Sequence, residues 1–396
     1  MSTRDLAAAA EVLHARNAVA VVFALNGFAF ATWISRIPEA RDALDLTPGQ
    51  LGTLLLALSL GSVLSLPSAG LWVSRFDASK VVVGAALVDA VGLALAGLGA
   101  GNLEESWVTA VGLFLLGVGS GTWDVAMNVE GAAVERELAR TVMPRFHAAF
   151  SLGTVVGATV GATVSALSTP LFLHLSTAAV IVALTPVLVV PSFLPARTTA
   201  AAGGGQRPHP LRAWLEPRTV AIGAMVLAMA LTEGVANDWL AVALVDGYGA
   251  PAWVGASGFA LFVVAMTIGR LGGPVLLDRF GRVPVLWSSM AVAALGVALV
   301  VFGVLLPLVA AGIVLWGLGA SLGFPVGMSA AADDPAHAGA RVSVVSTVGY
   351  TAFLAGPPLF GFLGDRVGVL HALLLLAILL IPSALAVPAA RERRVG

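Results

Sequence analysis

Twelve apolar runs divide this chain of 396 residues, each near the roughly 20 residues a helix needs to cross a bilayer. Their cores fall at 17–37, 50–73, 80–100, 107–129, 146–169, 171–193, 218–243, 253–276, 283–303, 307–329, 342–363 and 369–389. In hydrocarbon every backbone N–H and C=O must find its partner inside the protein, which admits only helices and closed barrels. Runs of this length select helices, so the expected fold is an all-α integral membrane protein with twelve transmembrane helices. Composition agrees: the chain is 58% hydrophobic and 11% charged, where a soluble domain carries about 25% charged residues. A net charge of −1 gives no global field for nucleic acid. With no cysteine, disulfides, thiol chemistry and cysteine metal sites are excluded. The opening MSTRDLAAAAEVLHARN carries acids ahead of a full-length run and is not expected to be a cleaved signal peptide.

Most connections between runs are short. Residues 195–217, ARTTAAAGGGQRPHPLRAWLEPR, are the exception: rich in Gly, Pro and Arg, with no apolar span. They are expected to link two six-helix bundles, 1–194 and 218–396. With the N-terminus placed in the cytoplasm, 17 of the 21 Lys and Arg residues fall on the cytoplasmic side. Arg36, Arg41 and Arg366 fall outside, and Arg270 lies within the eighth run. The excess of positive charge on one side sets orientation, so both termini and the linker are expected inside a cytoplasmic-type membrane.

The halves also resemble each other. Trp33 pairs with Trp239 at an offset of 206, and Arg75-Phe76 with Arg279-Phe280 at 204. Gly119 pairs with Gly319, Phe150 with Tyr350 and Gly161 with Gly361, all at 200. Offsets this steady imply a six-helix unit duplicated in one orientation. Transporters built from such repeats place their sites near the midplane, between the halves.

Polar residues inside the runs are the candidate site. A charged side chain in a spanning helix is costly and calls for a functional or structural reason. Asp124 and Asn128, in GTWDVAMNVEGAAVERE (121–137), are four apart and share one helix face. Glu233 and Asn237 repeat that spacing. A carboxylate removed from water favours its protonated form, which suits an intramembrane acid to carrying protons. Asp124 and Glu233 are the expected carriers, with His147 as a possible relay at the start of the fifth run; a structural acid or histidine is the alternative for each. Asn26 and Trp33 lie seven apart on one stripe of the first run. An amide with an indole suits a sugar, by hydrogen bonding and by stacking on its C–H faces. Asn128, Asn237, Asp238, Trp239 and Tyr350 complete the expected solute contacts, against the plainer reading of packing residues. Arg270 needs an acidic partner that the sequence does not identify, and Asp89 is equally solitary.

Several motifs resemble the major facilitator superfamily. PVLLDRFGR (274–282) is similar to its G-x-x-x-D-R-x-G-R loop, with Pro274 where the first Gly is usual. GLWVSRFDAS (70–79) is a degraded copy, with Ser74 for the acid and Asp77 for the glycine, and GFLGDRVG (361–368) repeats the pattern. Asp124-x-x-x-Asn128 resembles the acid-x-x-x-Asn of fucose-permease-like sugar:proton symporters. DVAMNVEGAAVERE, EGVANDWL and SLGFP look most like the MosC/YbjJ-like branch. GTVVGATVGA (153–162) keeps half of the antiporter signature, with Ala158 for its proline; its glycines could equally permit close helix packing.

The resemblance implies alternating access by two bundles, with Asp278, Arg279 and Arg282 in a charge network that steadies one access state. It implies a monomer that moves a small solute with protons. A polar sugar or similar metabolite, imported by symport, is the leading expectation. Proton-driven export of drugs or metabolites is the alternative, and a membrane sensor without turnover is a remoter one. No H-E-x-x-H, P-loop or G-x-S-x-G is present, so no enzyme activity, metal or cofactor is expected.

Overall fold

The computed structural model describes residues 3–138, 142–194, 210–334 and 338–392. Arg140 and most of the expected linker, 195–209, lie outside them. All secondary structure among the described residues is helical. Among the described residues eleven helices are long and apolar enough to cross a membrane. They are α1 (Ala10–Ala43), α2 (Pro48–Val73), α3 (Arg75–Leu103), α4 (Ser106–Leu138), α5 (Arg145–Ala166), α6 (Leu171–Ser192), α7 (Pro217–Tyr248), α8 (Ala252–Phe280), α9 (Arg282–Phe302), α10 (Leu306–Ala331) and α11 (Arg341–Val367). The twelfth run yields a shorter apolar helix, α12 (Val369–Ala384), with Leu373 set in a turn.

Two other spans are broken where the sequence shows why. In α1 the helix stops at Ile34 and resumes at Ile37 with Pro38 in its new first turn, where a missing N–H costs nothing. In α10 the break falls at Ser321-Leu322, where the Ser321 hydroxyl donates back to the Leu318 carbonyl at 2.6 Å. Pro325 again sits in the first turn of the helix that follows.

The chain divides into two compact units, residues 1–198 with 251–260, and 199–250 with 261–396. Lipid tails are as apolar as leucine, so helices in a membrane do not associate through the hydrophobic effect; close packing of small residues takes its place. In the first unit α2 and α4 cross at Gly61 and Gly117, backbone against backbone. A Cβ on Gly117 would overlap the Leu58 carbonyl, and one on Gly61 the Phe114 carbonyl. Gly92 and Gly112 bring α3 and α4 together in the same way. The second unit repeats the arrangement: Gly317 lies against the Phe262 carbonyl of α8, and Gly296 and Gly312 join α9 to α10. Leu58 and Phe262 are 204 residues apart, Gly117 and Gly317 are 200 apart, and so the repeat legible in the sequence is a repeat of helix crossings.

One crossing is not repeated. Gly27 and Gly153 let α1 and α5 touch through their backbones, whereas Gly234 of α7 meets the Phe353 ring of α11. Gly157 and Gly161 likewise lie against Phe28 and Ser35 of α1, so the glycines of the half-kept antiporter signature serve helix packing.

The turns repeat too, with different residues. Between α8 and α9 Gly281 has φ 76°, and after α11 Gly368 has φ 81°. Their counterparts 204 and 200 residues earlier are Asp77 at φ 68° and Ser168 at φ 54°. Asp77, with ψ 151°, holds a conformation that side-chain-bearing residues rarely adopt. The degraded loop motif of the first half therefore keeps the turn and loses the residue suited to it.

Two stability outcomes are expected. Gly117→Val should destabilise the protein by about 1–3 kcal/mol through overpacking, while Gly84→Val, with open space around the new Cβ, should leave melting in detergent nearly unchanged. Asp77→Gly should raise the melting temperature by relieving strain of about 1–3 kcal/mol. A lowered melting point for Asp77→Gly would show that its side chain, not the turn, matters there.

Candidate functional site

In the first unit, α4 carries the acid-amide pair. The Asn128 amide donates to the Asp124 backbone carbonyl at 2.8 Å and to its carboxylate Oδ1 at 3.2 Å. The spacing of four thus becomes a local hydrogen bond that orients the carboxylate, and both side chains are half-buried. Trp123, next to Asp124, is fully buried, and its indole N–H has no partner among the described residues. Asn26 and Trp33 of α1 are also buried, with the Asn26 Nδ2 and Trp33 Nε1 donors unused. Buried donors are normally paired, so these three mark where α1 and α4 hold polar capacity in reserve. None of the indole faces is open to a sugar in this conformation. His147 lies exposed at the start of α5, its ring edge-on to Phe23 at 5.3 Å.

Asp89 of α3 is completely buried. The Ser120 hydroxyl of α4 donates to its Oδ1 at 2.8 Å, while Oδ2 has no partner among the described residues. Gly119 makes room for it, since a Cβ there would strike Asp89.

In the second unit Glu233 and Arg270 form an ion pair between α7 and α8. The Arg270 Nη2 donates to Glu233 Oε1 at 2.8 Å, with side chains 31% and 15% exposed respectively. This is the acidic partner that the sequence left unnamed. The adjoining α7 turn is held by Trp316 of α10, whose indole donates to the Thr232 carbonyl at 3.0 Å. Glu233 therefore pairs with a cation, whereas Asp124, at the same acid-x-x-x-Asn spacing, pairs with its amide. Asn237 and Trp239 are buried, the Trp239 indole N–H having no partner among the described residues, and Asp238 is half-buried. Tyr350 is exposed beside Phe324 and Phe353, with ring centroids 6.0 and 6.4 Å away.

The expected charge network has different members. Arg282 binds Asp333 at 2.8 Å and the Ser329 hydroxyl at 3.0 Å, and Asp333 also binds Arg218 at 2.8 Å. Arg218 reaches on to the carbonyls of Ala389 and Arg391. Beside it, Arg341 pairs with Glu216 and Asp334 at 2.6 and 3.1 Å. Asp278 and Arg279 are exposed and join no ion pair among the described residues; Arg279 lies over the Phe280 ring at 5.2 Å. Asp333, just beyond α10, is the acid that holds Arg282.

Sequence reasoning also passed over a cluster at the far end of α1. Arg36 is buried, with its Nε 3.0 Å from Glu39 and its Nη2 donating to the Thr169 carbonyl at 2.8 Å. Its Nη1 lies 3.2 Å from Nδ1 of the buried His174. Arginine only donates, so Nδ1 accepts and the histidine proton sits on Nε2. The Ser165 hydroxyl donates a short hydrogen bond to Glu39. Arginine, glutamate and histidine each stand near the end of an apolar run, which is why they read as ordinary flanking residues.

Comparison with known proteins agrees with this architecture. The family model of the Major Facilitator Superfamily matches residues 19–357 and 257–395. An uncharacterized MFS-type transporter of Yersinia pestis is 32% identical over 348 residues, covering 87% of this chain and 88% of that protein. The membrane protein MosC of Rhizobium meliloti is 26% identical over 359 residues, covering 90% and 86%. Among solved structures, a mutant of the nucleoside transporter NupG superposes with a TM-score of 0.78 at 15% identity, over 95% of this chain and 99% of that one. The Escherichia coli fucose:proton symporter FucP gives 0.63 at 17% identity, over 96% and 98%. Family and architecture agree on a multi-pass membrane transporter and not an enzyme: the chain belongs to the major facilitator superfamily.

Proposed function

We propose that this transporter is a proton-coupled symporter of a small polar solute in the cytoplasmic membrane, with both termini and the linker in the cytoplasm. The observation that carries the reading is the pair of carboxylates inside the spans, Asp124 held by Asn128 and Glu233 held by Arg270. Each has a partner that can be exchanged for a proton or a solute group, as coupling requires. A transporter of this kind needs only a solute site and two access states that bind solute and proton differently. Asn26, Asn128 and Asn237 supply amides to hydroxyl-bearing solutes, and Tyr350 supplies an exposed ring. The reading takes residues 1–194 and 218–396 as the two moving bundles, joined by 195–217, and takes the monomer as the working form. Arg282, through Asp333, belongs to the charge network that steadies one state. Antiport loses support because Gly153, Gly157 and Gly161 are engaged in packing against α1.

In vesicles with an imposed pH gradient, Asp124→Asn should lose proton-driven accumulation while keeping solute exchange, because exchange needs no net proton movement. Undiminished accumulation in that variant would remove Asp124 from the coupling. The chain has no cysteine, so a single cysteine at position 203 reports orientation directly. An impermeant maleimide should label it in inside-out vesicles and spare it in intact cells; the reverse pattern would overturn the assigned topology.

A further inference from the structure

Arg270 is the one basic residue between the terminal turns of α7 to α12. A guanidinium carries five N–H donors in a planar fork that suits two oxygens at once. Among the described residues Arg270 makes one such bond, from Nη2 to a single oxygen of Glu233. Its side chain is 31% exposed, and among the described residues no other hydrogen bond engages its remaining donors. An arginine within a span faces protein or water-filled space, and a guanidinium with most of its donors free there is built to receive an anion.

The helix lacks one backbone hydrogen bond beside Arg270. Pro274 lies four residues on, and it lacks the N–H that would close the helical bond to the Arg270 carbonyl. Gly272, two residues on, has open space about it, while Gly269 and Gly273 seat the helix against Ser321 and Leu322 of α10.

We propose that Arg270 is the anion-binding residue of the solute site, and that the transported solute carries a carboxylate. The solute carboxylate takes the guanidinium fork, Glu233 gives up its bond to Nη2, and the freed Glu233 takes up the co-transported proton. One anion and one proton then cross together, and no net charge moves. The proposal rests on the symport reading and adds the class of solute. The other charged groups nearby are few. Asp238 lies one turn along α7 beyond Glu233, and Asp246 near that helix's end. Asp278 and Arg279 close α8, Arg282 opens α9, and α10 has none. Arg341, Asp365 and Arg366 stand at the ends of α11, and His371 near the start of α12. Among these groups of the second unit Glu233 is the one whose protonation answers to the solute, and Asp124 of the first unit remains the acid on which proton delivery depends.

The test uses the full-length protein in liposomes with D-gluconate and D-glucuronate, set against D-glucitol and D-glucose, under an inward proton gradient. An acid should enter with a proton while its neutral counterpart does not. Arg270→Lys should lower that uptake by about tenfold or more, because the fork is lost. Glu233→Gln should keep acid-induced thermal stabilisation but lose the dependence on the gradient. Proton-coupled uptake of a neutral sugar with exclusion of its acid would overturn the anion site and leave symport standing. Acid uptake indifferent to the gradient would instead overturn symport. A second measurement needs no knowledge of the solute. Glu233→Ala opens a carboxylate-sized gap against Arg270, and acetate should raise its melting temperature more than chloride at equal ionic strength. Equal effects of the two anions would mean that no outside carboxylate reaches Arg270, and would end the proposal.

Discussion

The fold depends on how closely two helices can approach when water is absent. In lipid, apolar side chains gain nothing by leaving one hydrocarbon surface for another, so attraction must come from contact at short range. Gly61 with Gly117, and Gly92 with Gly112, supply that contact by removing the side chains that would hold backbones apart. The second unit places Gly296, Gly312 and Gly317 at the corresponding crossings. These positions tolerate little change, while the lipid-facing leucines and valines around them can vary. That contrast is how two halves with modest sequence likeness keep one architecture.

Against this scaffold the interior charges are few, and the geometry of each is distinct. Asp124 is oriented by an amide one turn away, Asp89 by a single serine hydroxyl, Glu233 by an arginine on another helix. Breaking a buried ion pair is costly because the partner left behind stays charged and unsolvated. Glu233 and Arg270, 15% and 31% exposed, are partly shielded, so separating them leaves each in need of another partner. The Arg36 cluster differs in kind. Its members serve one another across α1, the α5–α6 turn and α6, and they lock the end of the first unit where α1 breaks.

Much of this was legible in the sequence, for identifiable reasons. Apolar run length gives the spans, because the bilayer imposes it. The spacing of Asp124 and Asn128 gives their hydrogen bond, because one helical turn is local geometry. The partner of Arg270 was not legible: Glu233 lies 37 residues away on another helix, and only packing joins them. The same holds for Asp333, just beyond α10, whose two arginine partners start α7 and α9. The indoles of Trp33 and Trp239 read as solute contacts, yet both are fully buried. Residue type and stripe position reveal a polar atom, but not which way its ring is covered. Asp77 and Ser168 hid the turn repeat, since left-handed turns advertise themselves only when glycine occupies them.

The ion pairs around Asp333 have a mechanical consequence. Arg218 ties the start of α7 to Asp333 and to the chain after α12, Arg282 ties in the start of α9, and Arg341 joins α11 to Glu216 and Asp334. One end of the second unit is thus riveted across α7, α9, α10, α11 and α12. Among the described residues α8 has no rivet there, since Asp278 and Arg279 take no part. α8 is held instead by packing on α10, with Gly269 and Gly273 against Ser321 and Leu322, and Gly317 against its Phe262 carbonyl. The Arg270–Glu233 pair, far from that riveted end along the sequence of both helices, is then the charged tie between α8 and α7.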